Sequence, residues 1–345
     1  MIGGNQGCYV IAEAGVNHNG SLELAHQLVD VAADAGADAV KFQVFRSGLL
    51  ATRAAPQAEY QVQNTGKSES QFDMLSRLEL SDEQYRELRS HAQERGVEFL
   101  ASPFDEPSLN FLRELGLPAM KLSSGEVTNV PFLEAVARSG RPVLLSTGMS
   151  TMAEVEAAVE CITAINPELL LFHCVSSYPA AVEDVNLAAM ETLRRAFRVP
   201  VGYSDHTEGI EISLAAVALG ACCIEKHFTT DRTLPGPDHK ASLEPAELQA
   251  LVAGIRSVEA SIGDGRKRVM DSERDTIRVA RRSLVAARGI DAGEVLTADM
   301  LVPRRPGTGI PPAHIDYFVG RTVRRPLAAG DLLQPAHLDE PSSGS

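Results

Sequence analysis

The chain has 345 residues, 44% of them apolar and none Trp, which is enough for one large domain and a smaller one. Its 46 Asp and Glu against 32 Lys and Arg give a formal net charge of −14. That balance excludes a non-specific nucleic-acid binder, because phosphate backbones need clustered cations, and any anionic substrate has to be met by a local basic site.

Five cysteines (Cys8, Cys161, Cys174, Cys222, Cys223) are odd in number and lack metal-ligand spacing. They read as reduced thiols of a cytoplasmic protein. No basic stretch leads into an apolar one at the start, and no apolar run approaches about eighteen residues, so neither secretion nor membrane insertion is expected.

From Cys8 onward, short apolar strand candidates alternate with helical periods. Strands are predicted over 8–13, 39–45, 97–102, 119–123, 142–147, 169–174, 199–203 and 222–227. Helices are predicted over 22–35, 82–95, 107–115, 131–139, 152–165, 187–197, 211–219 and 245–262. Ser81 with Gln84, and Ser150 or Thr151 ahead of Glu154, supply helix caps. Eight such pairs over residues 1–262 predict an α/β fold of the (β/α)8 TIM-barrel type. An open doubly wound sheet fits less well, since no G-x-G-x-x-G follows the first strand. The connection over 46–80 is long enough to be either a functional lid or a surface insertion with one short helix over 69–77. Residues 263–282 are polar and charged and read as a linker. Residues 283–338 form a compact module of brief strands and turns whose core is marginal by itself, and 339–345 read as a disordered tail.

In a barrel of this kind reactive groups sit at the C-terminal ends of the strands. Those ends carry Glu13; Lys41 with Gln43; Ser102; Lys121 with Ser123, Ser124 and Glu126; Ser146 with Thr147; Ser176 with Tyr178; Ser204 with Asp205 and His206; and His227. Two lysines ringed by hydroxyls make a site for a phosphate or carboxylate, and Gly125 and Gly148 allow backbone amides to approach. His206 and His227 follow two strands joined by a helix, so both imidazoles emerge at one end of the sheet, beside Asp205 and Asp238. This suits a divalent metal with open positions. Each position also has a bland reading: a hydrogen-bonded histidine, a solvated lysine, a capping serine.

The segments IAEAGVNHNGS, VKFQ, ASPFD, KLSSGE, LLSTGM, HCVSSYP, GYSDHT, EKHFTTD and GPDHKAS, in this order, resemble the sialic acid synthases that condense phosphoenolpyruvate with an N-acetylated hexose. SLVAARGIDAGEVLTADMLVPRRPGTGI is similar to the C-terminal antifreeze-like (SAF) domain of those enzymes, and the likeness spans residues 9–338. The resemblance implies that Lys41, Ser102, Lys121, Ser124, Ser146 and Ser204 hold phosphoenolpyruvate. It implies that His206 and His227 bind Mn2+ or Mg2+, and that Glu13, Gln43, Tyr178 and Asp238 face the metal water or the sugar, with Asn64 near the sugar. Arg305 would reach the sugar in the other subunit of a homodimer, so that the C-terminal domain closes its partner's site. Ser176 stands where some relatives have Asn, which puts an Asn-mediated contact in doubt.

Glu13, Glu126 and Lys121 are the candidate catalytic groups, the carboxylates handling the protons of the attacking water; Glu126 reads equally as a salt-bridge partner of Lys121. N-acetylmannosamine is the sugar expected, to give N-acetylneuraminate, with a 2,4-diacetamido-2,4,6-trideoxymannose, to give legionaminic acid, as the alternative. A Schiff-base aldolase using a strand-end lysine, and an ice- or carbohydrate-binding module on an inert barrel, are readings of other classes.

Overall fold

The computed structural model describes residues 7–339, so all of the expected disordered tail except Asp339 lies outside the described residues. Within them, the contacts divide into two compact units that part between Gly263 and Asp264.

The first unit contains eight strands: β1 (Tyr9–Gly15), β2 (Ala39–Val44), β3 (Glu98–Pro103), β4 (Met120–Leu122), β5 (Val143–Ser146), β6 (Leu169–Cys174), β7 (Val201–Asp205) and β8 (Cys223–His227). They form one sheet in the order β3-β2-β1-β8-β7-β6-β5-β4, all pairs parallel. β3 and β4 lie side by side, which brings the sheet round to the near-barrel of a TIM-like fold.

The covering helices are α1 (Leu22–Asp34), then α2 (Ser47–Leu50), α3 (Glu59–Thr65) and α4 (Gln71–Ser76) in the long connection, then α5 (Asp82–Arg95), α6 (Glu106–Leu115), α7 (Val130–Ala137), α8 (Met152–Thr163), α9 (Ala189–Phe197), α10 (Glu211–Ala218) and α11 (Pro245–Ile262). Caps fix several starts: Ser81 and Gln84 exchange side-chain and backbone hydrogen bonds, and so do Thr151 and Glu154. The 46–80 connection carries three short helices in place of the one expected. α3 was not legible because EYQVQNT has no apolar stripe, and none of its residues is buried.

Alternate residues along each strand point into the barrel or out toward the helices. The outward set (Val10, Ala12, Val40, Phe42, Leu122, Leu145, Leu171, Tyr203, Ile224) belongs to the main core beneath the helices. The inward set at the lower end (Ile11, Ala39, Leu100, Ala119, Leu144, Leu170, Phe172, Cys223) plugs the barrel floor. Gly202 is required here: a Cβ on it would lie 2.6 Å from the Cys223 carbonyl oxygen and 2.8 Å from the Phe172 ring. No helix of the described residues is long and apolar enough to cross a membrane.

The second unit holds a helix, α12 (Arg274–Ala280), inside the stretch expected as a linker, and an antiparallel pair, β9 (Ser283–Ala286) and β10 (Leu301–Arg304). Short 3-10 turns at Ala298–Met300 and Pro312–Tyr317 surround a small core that includes Leu284, Ile290, Leu296, Leu301, Val323, Leu327 and Leu333.

Replacing Gly202 by Ala is expected to lower unfolding stability by about 1–3 kcal/mol through overpacking. Adding Phe172→Leu should recover only part of that loss, because the Cys223 carbonyl contact persists; urea unfolding of the two single variants and the double variant checks both statements.

Candidate active site

Above the floor the inward-facing side chains become ionic. Glu13 of β1 stands opposite both Lys41 of β2 and His227 of β8 in the strand register, and Ser204 of β7 stands opposite Glu225 of β8. Lys41 Nζ lies 2.8 Å from Glu13 Oε2 and 3.5 Å from Glu225 Oε2, and it donates to Ser102 Oγ at 3.2 Å. Lys121 Nζ lies 3.5 Å from Glu225 Oε1 and donates to Ser146 Oγ at 2.6 Å. It also sits 5.1 Å from the Phe172 ring of the floor. Ser204 Oγ donates to Glu225 Oε1 at 2.9 Å, and Gln43 Nε2 to Glu13 Oε1 at 3.1 Å. Thus Lys41, Gln43, Ser102, Lys121, Ser146, Ser204 and Glu13 converge on one buried patch.

Glu225 was missed by sequence reasoning although it is the group between the two ammonium ions. It lies two residues before His227 in a strand, and period-2 alternation alone puts it on the same face.

Burial sets the electrostatics. It pushes the Glu13 carboxyl up, against the pull of Lys41, and it lowers Lys121. Lys41 is raised despite burial because Glu13 and Glu225 face it. Glu225 is held below the usual carboxylate range, against burial, by Lys121 and Lys41.

At the C-terminal ends of β7 and β8 are the histidines. His206 Nδ1 is 2.6 Å from the Val175 carbonyl, an acceptor only, so this nitrogen carries the proton and Nε2 is left with a free lone pair. His227 Nδ1 is buried with no hydrogen-bond partner. Burial keeps both rings neutral: His206 is lowered to about 4 and His227 well below its ordinary value. The two ring centroids are 5.6 Å apart, and the Tyr178 ring sits 4.1 Å from His206 and 5.6 Å, edge-on, from His227.

Asp205, expected beside these imidazoles, is not there. β7 runs on through Asp205, so the pleat turns its carboxylate outward. There Oδ2 pairs with Lys226 Nζ at 3.0 Å and accepts from Ser213 Oγ, while Oδ1 accepts from Thr207. Asp238 is buried at the same end of the barrel, and burial, with Glu13 nearby, raises it to about 7.

Around Gly148, whose amide donates to Ser124 Oγ at 2.9 Å, stand Ser124, Cys174 and Ser176; a Cβ on Gly148 would collide with all three side chains. Glu126 does not pair with Lys121. It lies on the 3-10 turn Ser124–Glu126, accepts from Asn129 Nδ2 at 2.7 Å, and is raised by burial. Asn64 Nδ2 donates to the Pro237 carbonyl at 2.7 Å, beside Asp238. Arg305, in the second unit, is exposed, and its Nε donates to the Ala280 carbonyl at 3.0 Å.

A barrel in which buried lysines, carboxylates and serines meet beside a pair of neutral imidazoles has the groups of an enzyme site. Residues 28–267 match the NeuB family and residues 281–339 the SAF domain. The chain is 45% identical to the N,N'-diacetyllegionaminic acid synthase of Legionella pneumophila, over 98% of this chain and 96% of that protein. It is 38% identical to the human N-acetylneuraminate-9-phosphate synthase over 98% of this chain and 94% of that protein. Among solved structures, the N-acetylneuraminic acid synthetase of Leptospira borgpetersenii, in complex with citrate, is 40% identical and superimposes with a TM-score of 0.70, covering 79% of this chain and 91% of that one. The chain therefore belongs to the NeuB family and carries a C-terminal SAF domain.

Folded Asp238 holds its proton more tightly than the unfolded chain does, so its contribution to stability is full at low pH and is lost as pH rises through about 7. With a chelator present, stability is expected to fall from about pH 4 to pH 7, by no more than about 4 kcal/mol. Asp238→Asn should flatten that segment of a stability-versus-pH curve measured by denaturant unfolding.

Proposed function

We propose that the chain condenses phosphoenolpyruvate with an N-acetylated amino sugar and water, releasing phosphate and a nine-carbon 2-keto sugar acid. The observation that carries this reading is the pair of buried ammonium groups, Lys41 and Lys121, bridged by Glu225 and ringed by Ser102, Ser146 and Ser204. A trianion needs such a site. In this reading Lys41, Lys121 and the serines hold the phosphate and carboxylate, with Ser124 beside the Gly148 amide extending the row.

His206 and His227 would hold Mn2+ or Mg2+. The unpartnered buried Nδ1 of His227 and the free Nε2 of His206 fit such an ion, and among the described residues no group of three or more His, Cys, Asp or Glu is arranged to hold one. When bound, the ion supplies Lewis-acid polarisation of the sugar's aldehyde oxygen. C3 of the enol phosphate bonds to the aldehyde carbon, water adds at C2, phosphate departs by C–O cleavage, and of the two protons the water loses one goes to the former aldehyde oxygen and one to the phosphate. Glu13, hydrogen-bonded to Gln43 and facing Lys41, is placed to move the water's proton; Glu126 is farther from this network and is the second candidate.

The 2,4-diacetamido sugar of legionaminic acid fits at least as well as N-acetylmannosamine, since two relatives named N,N'-diacetyllegionaminic acid synthase are each 45% identical to this chain. Lys121, lowered by burial, is the feature that favours an imine-forming aldolase; borohydride trapping with pyruvate separates that reading, as only it gives a reduced adduct.

Inorganic phosphate release from phosphoenolpyruvate is the direct test, with each sugar, with Mn2+ present and after chelation. Release that requires both sugar and metal, faster with the diacetamido sugar, is the expected result. No release with either sugar would overturn the reading.

The homodimer belongs to the same proposal. Residues 1–263 carry 35 acidic against 19 basic side chains, whereas residues 264–345 carry 13 basic against 11 acidic, so the second unit suits docking on an acidic surface. Arg305 keeps its terminal guanidinium nitrogens free of partners among the described residues. Arg305→Ala and His227→Ala chains should each be inactive alone and regain phosphate release when unfolded and refolded together, because a mixed dimer then contains one intact composite site. Failure of the mixture to regain activity would rule out the shared site.

A further inference from the structure

We propose that Tyr60, on α3 of the excursion after β2, is a positioning residue for the amino sugar, acting by fixing the Tyr178 ring that walls the two-histidine end of the site. The inference rests on the reading of that end as the sugar's place.

α3 presents Tyr60, Gln63 and Asn64 at i, i+3 and i+4, and so on one side. Each makes a contact across the barrel mouth. Asn64 Nδ2 donates to the Pro237 carbonyl at 2.7 Å, and Lys240 Nζ donates to the Gln63 carbonyl at 3.1 Å; both acceptor and donor lie on the loop after β8 that carries Asp238. The Tyr60 ring meets Tyr178 at 5.1 Å between centroids and 30° between planes, and Tyr178 in turn meets His206 at 4.1 Å and the edge of His227 at 5.6 Å.

Seven residues with nothing buried do not hold a helix by themselves. The place of α3 is therefore set by these contacts, and the Tyr178 ring in turn has Tyr60 behind it. The lysine layer below is held wholly by strand-borne groups, Ser102, Ser146, Ser204, Glu13 and Glu225, and makes no hydrogen bond to α3. A disturbance of Tyr60 thus reaches the histidine end and leaves the anion patch alone.

The test is steady-state phosphate release by the full chain with Mn2+, varying phosphoenolpyruvate and the diacetamido sugar separately. Tyr60→Leu is expected to raise the sugar KM about three- to tenfold, the effect of losing an aromatic contact, while the phosphoenolpyruvate KM stays within about twofold. Tyr60→Phe, which keeps the ring, should restore the sugar KM to within about twofold of wild type. Lys240→Met, an exposed change that threatens no fold, should raise the sugar KM in the same direction by loosening α3; it decides the matter if Tyr60→Leu does not fold. An unchanged sugar KM in Tyr60→Leu or in Lys240→Met, equal losses for both substrates, or a Tyr60→Phe variant as poor as Tyr60→Leu each overturn the proposal. A wild-type chain that neither turns over nor binds an acetamido sugar by calorimetry overturns the reading of the site, and this inference with it. A wild type that turns over normally isolates the fate of Tyr60.

Discussion

Two ammonium groups buried in one barrel repel each other, and the site exists because Glu225 stands between them. Its two oxygens lie 3.5 Å from Lys121 and 3.5 Å from Lys41. Glu13 completes the network from the neighbouring strand, Ser102 and Ser146 accept from the two lysines, and Ser204 donates to Glu225. Removing one member of such a buried set leaves the others uncompensated, which costs several kcal/mol, whereas an incoming anion can take up the same charges. The parallel register is what makes the set possible: it brings Glu13 level with Lys41 and His227, and Ser204 level with Glu225.

The barrel was legible because its strands are apolar runs of the right length separated by capped helices. β6 and α5 begin and end where the pattern puts them. Where the reading departed from the structure, a tertiary cause can be named. α3 carries no apolar stripe and owes its place to Tyr178 and the loop after β8, so nothing local announces it. Asp205 was placed beside the histidines on a strand taken to stop at Tyr203; the strand continues, and the pleat sends the carboxylate outward to Lys226. Glu225 was absorbed into an apolar run, although alternation from His227 could have found it. The Glu126–Lys121 pair failed because Glu225, not Glu126, shares the lysine's face of the sheet.

The convergence of Lys41, Ser102, Lys121, Ser146 and Ser204, by contrast, followed from one rule, that strand ends on one side of a parallel barrel meet at one mouth. Sugar identity was not legible. The contacts that line the mouth there meet only in three dimensions, such as Tyr60 against Tyr178 and Asn64 against Pro237, and come from loops far apart in sequence.

The plugged floor has a consequence for traffic. Phe172, Leu100, Leu144 and their neighbours close the barrel below the lysines, so the mouth serves as both entrance and exit. In the proposed condensation, the phosphoenolpyruvate resting on the lysines would have to descend before a sugar fills the histidine end of this blind shaft. Departure would obey the reverse order in that reaction, the joined product clearing the mouth before a phosphate left at the bottom could follow it out.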